Sequence, residues 1–292
     1  MCQDKIISGK IISQKIRDEI KQDVEKLKAN NVTPKLSVIV VGENPASQTY
    51  VRGKVKDCAE CGIESDTISL SGQATQKEVI SVIKRLNEDV TVHGILVQLP
   101  FPEQIDEYAV VNTISPSKDV DGVTALNVGN LYLGKDCFVP CTAQGCLDVL
   151  EYADIEVAGK NVVVVGRSNI VGKPVGALLM QRDATVTICH TKTKNLIEKT
   201  KAADIIIMTI GRAGFLTGDM IKPDAVIVDV GINVNSQGKL CGDVDFESCI
   251  DKVSRITPVP GGIGLMTRAN LLRNTVKSAK NVCYLKQEQS EE

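Results

Sequence analysis

Apolar residues along the first half of the chain follow two patterns, which together predict alternating helices and strands. Spacing typical of a helix follows Ser8, a second helix is predicted to run to about Cys61 before Gly62, and continuous apolar runs at residues 36–41 and 95–99 predict buried strands. The sequence T-x-x-E at Thr75 is a capping box, which predicts the start of a further helix. Such alternation indicates a mostly parallel sheet. The apolar positions of the first and third helices are Ile12, Ile16, Ile20, Leu27, Val79, Ile83 and Leu86.

The second half begins with a turn-rich region and continues as a regular α/β series. Residues 112–141 are rich in Pro, Gly, Asn and Asp, which predicts loops, and Thr142 is placed to cap a helix that runs to Tyr152. Strands are predicted at 162–165, 185–189, 205–209 and 225–230, with a crossover helix at 172–181 and a last helix at 267–278.

Composition restricts the classes of function. Hydrophobic residues make up 43% and charged residues 24% of the 292 residues, which is typical of a chain with a real core. A formal net charge of -2 argues against a nucleic-acid-binding surface. No apolar run approaches the ~20 residues of a membrane span, and the polar N-terminus lacks the apolar stretch of a signal peptide. We therefore expect a cytoplasmic protein that binds neither nucleic acid nor membrane.

The ten cysteines accompany only two histidines. Cys58 and Cys61 form a C-x-x-C pair that could indicate redox or zinc chemistry. They lie in a predicted helix, however, and no second pair stands at zinc spacing. We interpret them as small buried apolar residues with free thiols, and we predict no metal site.

A glycine turn after the third predicted strand is a candidate nucleotide site. Four valines lead into Gly166-Arg167-Ser168, and Gly172 follows at a helix start. Glycine lets the backbone approach phosphate, and a helix N-terminus offers free N–H groups. Because Ser168 stands where the standard motif has its second glycine, a tight turn without a ligand is the alternative.

The end of the following strand bears on which nucleotide is bound. In NAD sites this strand tends to end in a carboxylate that binds the ribose 2′-hydroxyl. Here it is followed by His190, Thr191 and Lys192, with no carboxylate. Thr191 and Lys192, together with Arg167, suit a 2′-phosphate. These residues therefore favour NADP over NAD. The alternative is that Lys192 is only a solvated loop charge.

Candidates for the chemistry lie in the first half. Tyr50 and Lys54 are four residues apart on a predicted helix and share one face. A lysine beside an apolar stripe is commonly a surface residue with a buried stem, which is the alternative to a catalytic role. Gln98 lies in a predicted buried strand, where its amide needs partners or faces a site.

A second pair of polar candidates follows Gln98. Asp119 and Asp121 flank Val120 just before Gly122. Asp-Gly loops of this kind are often only turns.

Read together, these features resemble the methylenetetrahydrofolate dehydrogenase/cyclohydrolase family of bifunctional enzymes. Separate blocks match in the family's order over nearly the whole chain. They are Ser47-x-x-Tyr50-Val51-x-x-Lys54, Val97-Gln98-Leu99-Pro100, Lys118-Asp119-Val120-Asp121-Gly122, Gly166-Arg167-Ser168-x-Ile170-Val171-Gly172-Lys173-Pro174, Asp229-Val230-Gly231-Ile232-Asn233 and Pro258-Val259-Pro260-Gly261-Gly262.

The resemblance implies a two-domain α/β fold with an active-site cleft between the domains. It implies an N-terminal folate-binding catalytic domain at 1–141, completed by a C-terminal helix at 268–292, and a Rossmann-like NADP-binding domain with a parallel sheet at 142–267. The implied reactions are oxidation of 5,10-methylenetetrahydrofolate by NADP and hydrolysis of the methenyl product to 10-formyltetrahydrofolate. A place in one-carbon metabolism, with its purine, methionine and histidine biosynthesis, and a homodimer are implied as well.

The family's site residues carry over to matching positions. Lys54 is implied to be the catalytic lysine, with Tyr50 against the folate, Gln98 tuning the lysine and Asp121 anchoring the pterin. A lysine can serve as a base where burial makes its neutral amine available. The further substrate contacts implied are Val97, Leu99, Pro260, Gly261 and Gly262. The nucleotide contacts implied are Gly166, Arg167, Ser168, Thr191 and Ile232.

Two positions depart from the family pattern. Ala143 and Leu265 stand where the family usually has proline. Because proline fixes φ, we expect greater freedom in these segments. Two alternatives to the bifunctional enzyme are a monofunctional dehydrogenase that releases the methenyl product and a non-catalytic nucleotide-binding regulator on the same fold.

Overall fold

The computed structural model describes residues 3–291, and the side chains of residues 4–44 and 47–283. The chain divides into two compact units. The first unit comprises Lys15–Asn130, Asp136–Val139 and the residues from Arg268 onwards. The second comprises the described residues up to Gln14, Leu131–Lys135 and Pro140–Thr267. Among residues 3–291, no helix combines the length and the apolar character needed to cross a membrane.

Helices and strands alternate along most of the chain. The helices are α1 (Gly9–Ala29), α2 (Pro45–Glu60), α3 (Gln76–Glu88), α4 (Glu107–Val111), α5 (Ala125–Tyr132), α6 (Cys141–Tyr152), α7 (Gly172–Met180), α8 (Leu196–Ala202), α9 (Phe246–Cys249) and α10 (Ile263–Glu291). The strands are β1 (Lys35–Val41), β2 (Glu64–Leu70), β3 (Gly94–Gln98), β4 (Asn161–Val165), β5 (Thr185–Cys189), β6 (Ile205–Met208), β7 (Val226–Asp229), β8 (Asn233–Val234), β9 (Leu240–Cys241) and β10 (Arg255–Ile256).

The first unit is built on a three-stranded parallel sheet in the order β2-β1-β3. The predicted strands β1 and β3 are confirmed, and their apolar side chains are buried. A parallel bridge between Ile95 and Asp119 extends the sheet beyond β3. The capping box at Thr75 is also confirmed, since Thr75 Oγ1 accepts from Glu78 N and Glu78 Oε2 accepts from Thr75 N.

The second unit is built on a five-stranded sheet in the order β10-β7-β6-β4-β5, in which every pairing is parallel. The predicted strands β4 to β7 and the crossover helix α7 are confirmed. Val165 pairs with both Cys189 and Met208, and Met208 pairs with Asp229. The loops that follow four neighbouring strands therefore leave the sheet at one edge.

Three expectations from the sequence need correction. Thr142 does not cap α6, because the helix begins at Cys141 with Pro140 at its N-cap position and no side-chain cap. The hydroxyl of Thr142 instead shares a hydrogen bond with Thr267, 3.1 Å away. Residues 112–141 are not all loop, since α5 lies within them, and the last helix α10 is longer than predicted.

Ala143 and Leu265 both lie in the first turn of a helix, α6 and α10 respectively. Proline is tolerated at such positions because the first N–H groups of a helix have no partner within it. The greater freedom expected from the loss of proline stays a prediction.

Candidate active site

The carboxyl edge of the first sheet gathers the candidate residues of that unit. Val40 on β1 pairs with Gln98, the last residue of β3, and Ile95 pairs with Asp119. Asp121 lies two residues after Asp119, in the turn that follows this bridge and that Gly122 N closes with the carbonyl of Asp119. Helix α2, with Tyr50 and Lys54, begins four residues after the end of β1. Sheet register and a short strand-to-helix connection thus bring together side chains that are far apart in sequence.

Lys54 and Gln98 are in direct contact. Lys54 Nζ donates a 2.9 Å hydrogen bond to Gln98 Oε1. The nitrogen of the same amide has its own partner, since Gln98 Nε2 donates to the carbonyl of Leu99 at 2.8 Å. Because only the NH₂ group can donate to a carbonyl, this second bond turns the amide oxygen toward Lys54. The sequence predicted that the Gln98 amide either has partners or faces a site, and the structure gives it both a backbone partner and a contact with Lys54.

The residues beside Gln98 differ in exposure. Tyr50 lies one helical turn before Lys54 and is 45% exposed. Val97 points to the opposite face of the sheet and packs in the core with Ile39 and Ile95. Only its backbone is therefore placed to meet a ligand on the side of Lys54. Leu99, just after the strand, is half-buried.

The two aspartates of the Asp-Val-Asp-Gly segment have different positions. Asp119 is fully buried, and its carboxylate accepts from Thr124 N at 2.8 Å, Thr124 Oγ1 at 2.7 Å and Asn127 Nδ2 at 2.8 Å. It therefore stabilises the loop that leads to α5. Asp121 is half-buried at the sheet edge. Asn274 of α10 donates to the carbonyl of Val120 at 2.9 Å, which fixes the backbone between the two aspartates.

Arg268, near the start of α10, contacts the helix that carries Lys54. Its Nε donates to Asp57 Oδ2 at 2.5 Å, and its Nη2 donates to the carbonyl of Gly53 at 2.9 Å. The side chain of Asp57 is 7% exposed, so this ion pair is largely removed from water.

The glycine turn of the second unit has the close approaches expected of a phosphate-binding turn. Gly166 has φ of +130°, and a Cβ there would lie 2.3 Å from the carbonyl oxygen of Thr209. A Cβ on Gly172 would lie 2.4 Å from the carbonyl oxygen of Gly166. Ser168 Oγ accepts from the N–H groups of Val171 and Gly172 at 3.2 and 3.3 Å. Ser168 thus supports the turn into α7 at the point where a glycine stands in the standard motif.

The remaining nucleotide candidates of the second unit are exposed. Gly166 N donates to the carbonyl of Cys189 at 2.9 Å, which puts the turn beside the residues that follow β5. Arg167, Thr191 and Lys192 are exposed on this edge, and Ile232 is 51% exposed. A cation and a hydroxyl without a competing carboxylate at the end of β5 fit a 2′-phosphate better than a 2′-hydroxyl.

Two buried carboxylates support the loops at the same sheet edge. Asp243 accepts from the N–H groups of Ile210, Gly211 and Arg212. Asp229, at the end of β7, accepts from Gly231 N and from the N–H groups of Asp243 and Val244. Burial raises the pKa of Asp229 to about 6, against the opposing effect of those three hydrogen bonds.

The segment Pro260-Gly261-Gly262 has a backbone that requires glycine. Gly261 has φ of +109°. A Cβ on Gly262 would lie 2.5 Å from the carbonyl oxygen of Pro258, and a Cβ on Gly9 of α1 would lie 2.2 Å from the carbonyl oxygen of Gly262. The segment is therefore a tight turn directly before α10.

The cysteine pair on α2 is buried, as interpreted from the sequence. Cys58 and Cys61 are 0% and 2% exposed. Burial raises the pKa of the Cys58 thiol to about 12 and also raises the pKa of Cys61. Neither thiol is accessible to solvent as a reactive cysteine is. Within the described residues, no cluster of His, Cys, Asp or Glu has the arrangement of a metal site.

Comparison with known proteins identifies the family. Residues 7–121 match the model for the catalytic domain of tetrahydrofolate dehydrogenase/cyclohydrolase, and residues 140–283 match the model for its NAD(P)-binding domain. The chain belongs to the tetrahydrofolate dehydrogenase/cyclohydrolase family. The resemblance and the two-domain α/β fold expected from the sequence are thereby confirmed.

Individual members of the tetrahydrofolate dehydrogenase/cyclohydrolase family are similar over their full length. The bifunctional protein FolD of Halalkalibacterium halodurans is 54% identical, over 94% of this chain and 98% of the relative. The crystal structure of the bifunctional FolD enzyme of Campylobacter jejuni has 49% identity and a TM-score of 0.94, over 94% of this chain and 98% of that chain. A Trypanosoma brucei FolD structure, complexed with NADP cofactor and inhibitor, has 37% identity and a TM-score of 0.90, over 94% of this chain and 97% of that chain.

Sequence reasoning missed several residues that support this family's site. Arg268 and Asp57 lie 211 positions apart, and no local pattern links them. Asn274 and Asp243 likewise act through backbone groups distant in sequence. No local sequence signal points to these residues, because each contact joins positions far apart in the chain.

Proposed function

We propose that this chain oxidises 5,10-methylenetetrahydrofolate to the 5,10-methenyl form with NADP and then hydrolyses that product to 10-formyltetrahydrofolate. The observation that carries the proposal is the Lys54–Gln98 hydrogen bond at the carboxyl edge of the first sheet, within the residues that match the catalytic-domain model. A regulator that only binds nucleotide has no use for an oriented lysine at such an edge.

The first reaction requires mainly positioning. Bound NADP supplies the hydride acceptor, and the protein supplies orientation and electrostatics. Gly166, Arg167, Ser168, Thr191 and Ile232 are proposed to contact the nucleotide. The absence of a carboxylate after β5 and the exposed cations Arg167 and Lys192 support NADP over NAD.

The second reaction requires a base. The methenyl carbon is electrophilic, so an attacking water loses one proton to a base and adds to this carbon. The second proton of that water then moves to one of the two nitrogens as the carbon–nitrogen bond breaks and the ring opens. A neutral Lys54 amine that donates one N–H to Gln98 keeps a lone pair for the first proton. Gln98 holds the lysine in place, because its own orientation is fixed by the carbonyl of Leu99. We propose Lys54 as the base and Gln98 as its partner.

We propose that the folate contacts lie at the carboxyl edge of the first sheet and in the glycine turn before α10. Tyr50 offers an exposed aromatic face, and Asp121 offers a carboxylate that suits the N–H groups of a pterin. Val97 and Leu99 contribute backbone and apolar surface. Pro260, Gly261 and Gly262 are proposed to close over the substrate. The proposed limits of the folate domain are 1–141 with 268–292, and those of the NADP domain are 142–267.

We also propose a homodimer in the cytoplasm. In the second unit β5 is an edge strand, and its Ile188 is 39% exposed, which favours pairing with another chain. The described cysteines are free thiols, which is typical of a reducing compartment. Light scattering after size exclusion should give twice the chain mass, and a monomer at all concentrations would contradict the dimer.

A parallel spectrophotometric assay with NADP and NAD tests the proposed function. Purified protein supplied with 5,10-methylenetetrahydrofolate should reduce NADP faster than NAD and release 10-formyltetrahydrofolate. Accumulation of the methenyl species without its hydrolysis would instead indicate a monofunctional dehydrogenase. Reduction of neither nucleotide would contradict the proposal.

A further inference from the structure

The turn of α2 that carries Lys54 is weakly anchored by apolar packing. From Arg52 to Lys56 no residue is fully buried, whereas Val51 before this stretch and Asp57 and Cys58 after it are. Lys54, whose placement must be accurate, therefore lies on a helical turn that makes little contact with the core. Something other than the core must hold this turn.

Arg268 of α10 makes the bonds that reach this turn. Its guanidinium donates to the carbonyl of Gly53, the residue directly before Lys54, at 2.9 Å and to Asp57 Oδ2, one helical turn later, at 2.5 Å. Gly53 and Asp57 are four residues apart and so lie on one face of α2. A planar guanidinium with donors in a fixed geometry therefore spans the backbone on which Lys54 stands.

Gly53 provides the space for this contact. A Cβ at position 53 would lie 3.2 Å from Arg268 Cζ and 3.3 Å from both terminal nitrogens. A glycine in the middle of a helix lowers helix stability relative to alanine. The guanidinium therefore lies close against Gly53, and the Cβ of an alanine would displace it by a few tenths of an ångström.

We propose that Arg268 is a positioning residue for the hydrolysis reaction: through Gly53 and Asp57 it fixes the turn of α2 so that Lys54 is held at Gln98. Arg268 does not touch the reacting atoms in this assignment. The inference rests on the proposed function, because its consequence is read in the hydrolysis of 5,10-methenyltetrahydrofolate. A purely structural ion pair would affect folding and leave the kcat of the folded protein unchanged.

The decisive variant replaces both charged partners, Arg268→Leu with Asp57→Leu. An apolar pair of similar size removes the buried charges together, so the fold should be retained. The bond to the Gly53 carbonyl is nevertheless lost. We expect kcat for hydrolysis, per NADP-binding site determined by titration, to fall about tenfold or more, because a displaced catalytic group is costly. KM should change less than kcat, and NADP affinity should be unchanged.

Gly53→Ala is the second variant, and it keeps both charges. Alanine favours the helix, so the unfolding midpoint should stay the same or rise while kcat for hydrolysis falls. The wild type, with glycine at position 53, is the matched reference. Lys280→Leu is the control, since it removes another ion pair of α10, with Asp23 of α1, and should leave kcat unchanged.

The outcomes separate this inference from the proposed function. Loss of kcat in the double variant and in Gly53→Ala, with stability and NADP binding retained, supports Arg268 as a positioning residue. An unchanged kcat in the folded double variant overturns it and leaves the proposed function standing. A wild-type protein that does not hydrolyse 5,10-methenyltetrahydrofolate overturns the proposed function itself.

Discussion

At the scale of single residues, the orientation of one amide determines how Lys54 is held. Gln98 Nε2 is bound to the carbonyl of Leu99, so its oxygen faces the lysine. A neutral acceptor holds the amine without favouring its charged form as strongly as a carboxylate would. Glutamine at this position is therefore suited to a lysine that must act as a base.

Gln98→Glu tests this reasoning. A carboxylate beside Lys54 favours the protonated ammonium, so hydrolysis at neutral pH should fall about tenfold and the activity limb should move to higher pH by about one unit. The measurement is the pH profile of kcat for methenyl hydrolysis. A profile that keeps its wild-type position would show that Gln98 does not act through the charge state of Lys54.

Asp229 gives a second prediction at this scale. Its folded pKa of about 6 lies above its ordinary value of 3.8. Between these two pH values the folded state binds the proton more tightly than the unfolded state, so this carboxyl adds stability as pH falls from 6 toward 4. Above pH 6 the buried charge of Asp229 lowers the free energy of unfolding by about 3 kcal/mol. The reference is low pH, where Asp229 is protonated in both the folded and the unfolded state.

Urea unfolding of the wild type and of Asp229→Asn across this range isolates the effect. Asparagine does not titrate, so the difference in unfolding free energy, wild type minus variant, should rise as pH falls through 6. A difference that stays flat or falls would contradict the raised pKa. Comparison with the variant cancels the contributions of carboxyls such as Asp204, whose pKa is lowered by its bond to Lys222.

At the scale of elements, the strand-turn-helix unit β4–Gly166–α7 depends on close backbone contacts. Gly172→Ala would place a Cβ 2.4 Å from the Gly166 carbonyl oxygen and force the turn open. Overpacking of this kind costs about 1–3 kcal/mol, which corresponds to an NADP affinity about 5- to 150-fold weaker when the cost falls on the bound state. Calorimetric titration with NADP measures the change.

Gly176→Ala is the matched control on α7. The Cβ it adds would meet Ile188 Cδ1, the movable end of a side chain, at 3.0 Å rather than a backbone oxygen. Its NADP affinity should stay within a few-fold of the wild type. Equal loss in both variants would show that the helix, and not the turn, is responsible.

The elements also show which parts of the fold can be read from the sequence. Continuous apolar runs identified β1, β3 and β4, because these strands are buried on both faces. The edge strand β2 was missed, since its side chains are half-exposed and polar and resemble a loop. The sequence brought Lys54 and Gln98 into one site through the family resemblance. The Arg268–Asp57 pair joins residues with no local pattern, and only the fold reveals it.

At the scale of the whole molecule, the residues proposed for hydrolysis and for nucleotide binding lie in two different compact units. The first unit holds Lys54, Gln98 and Asp121, and the second holds the nucleotide turn at Gly166. Because the proposed base for hydrolysis and the proposed nucleotide contacts lie on different sheets, a substitution in one unit should leave binding by the other intact. The two activities of one chain should therefore be separable by mutation.

The central claim is that Lys54 is the base of the second reaction, and the most direct test is the hydrolysis of 5,10-methenyltetrahydrofolate by the Lys54→Ala variant. Removing a general base costs about 100-fold or more. The variant should lose hydrolysis to at least that extent and bind NADP as the wild type does. Hydrolysis at the wild-type rate in a folded, NADP-binding variant would contradict the account.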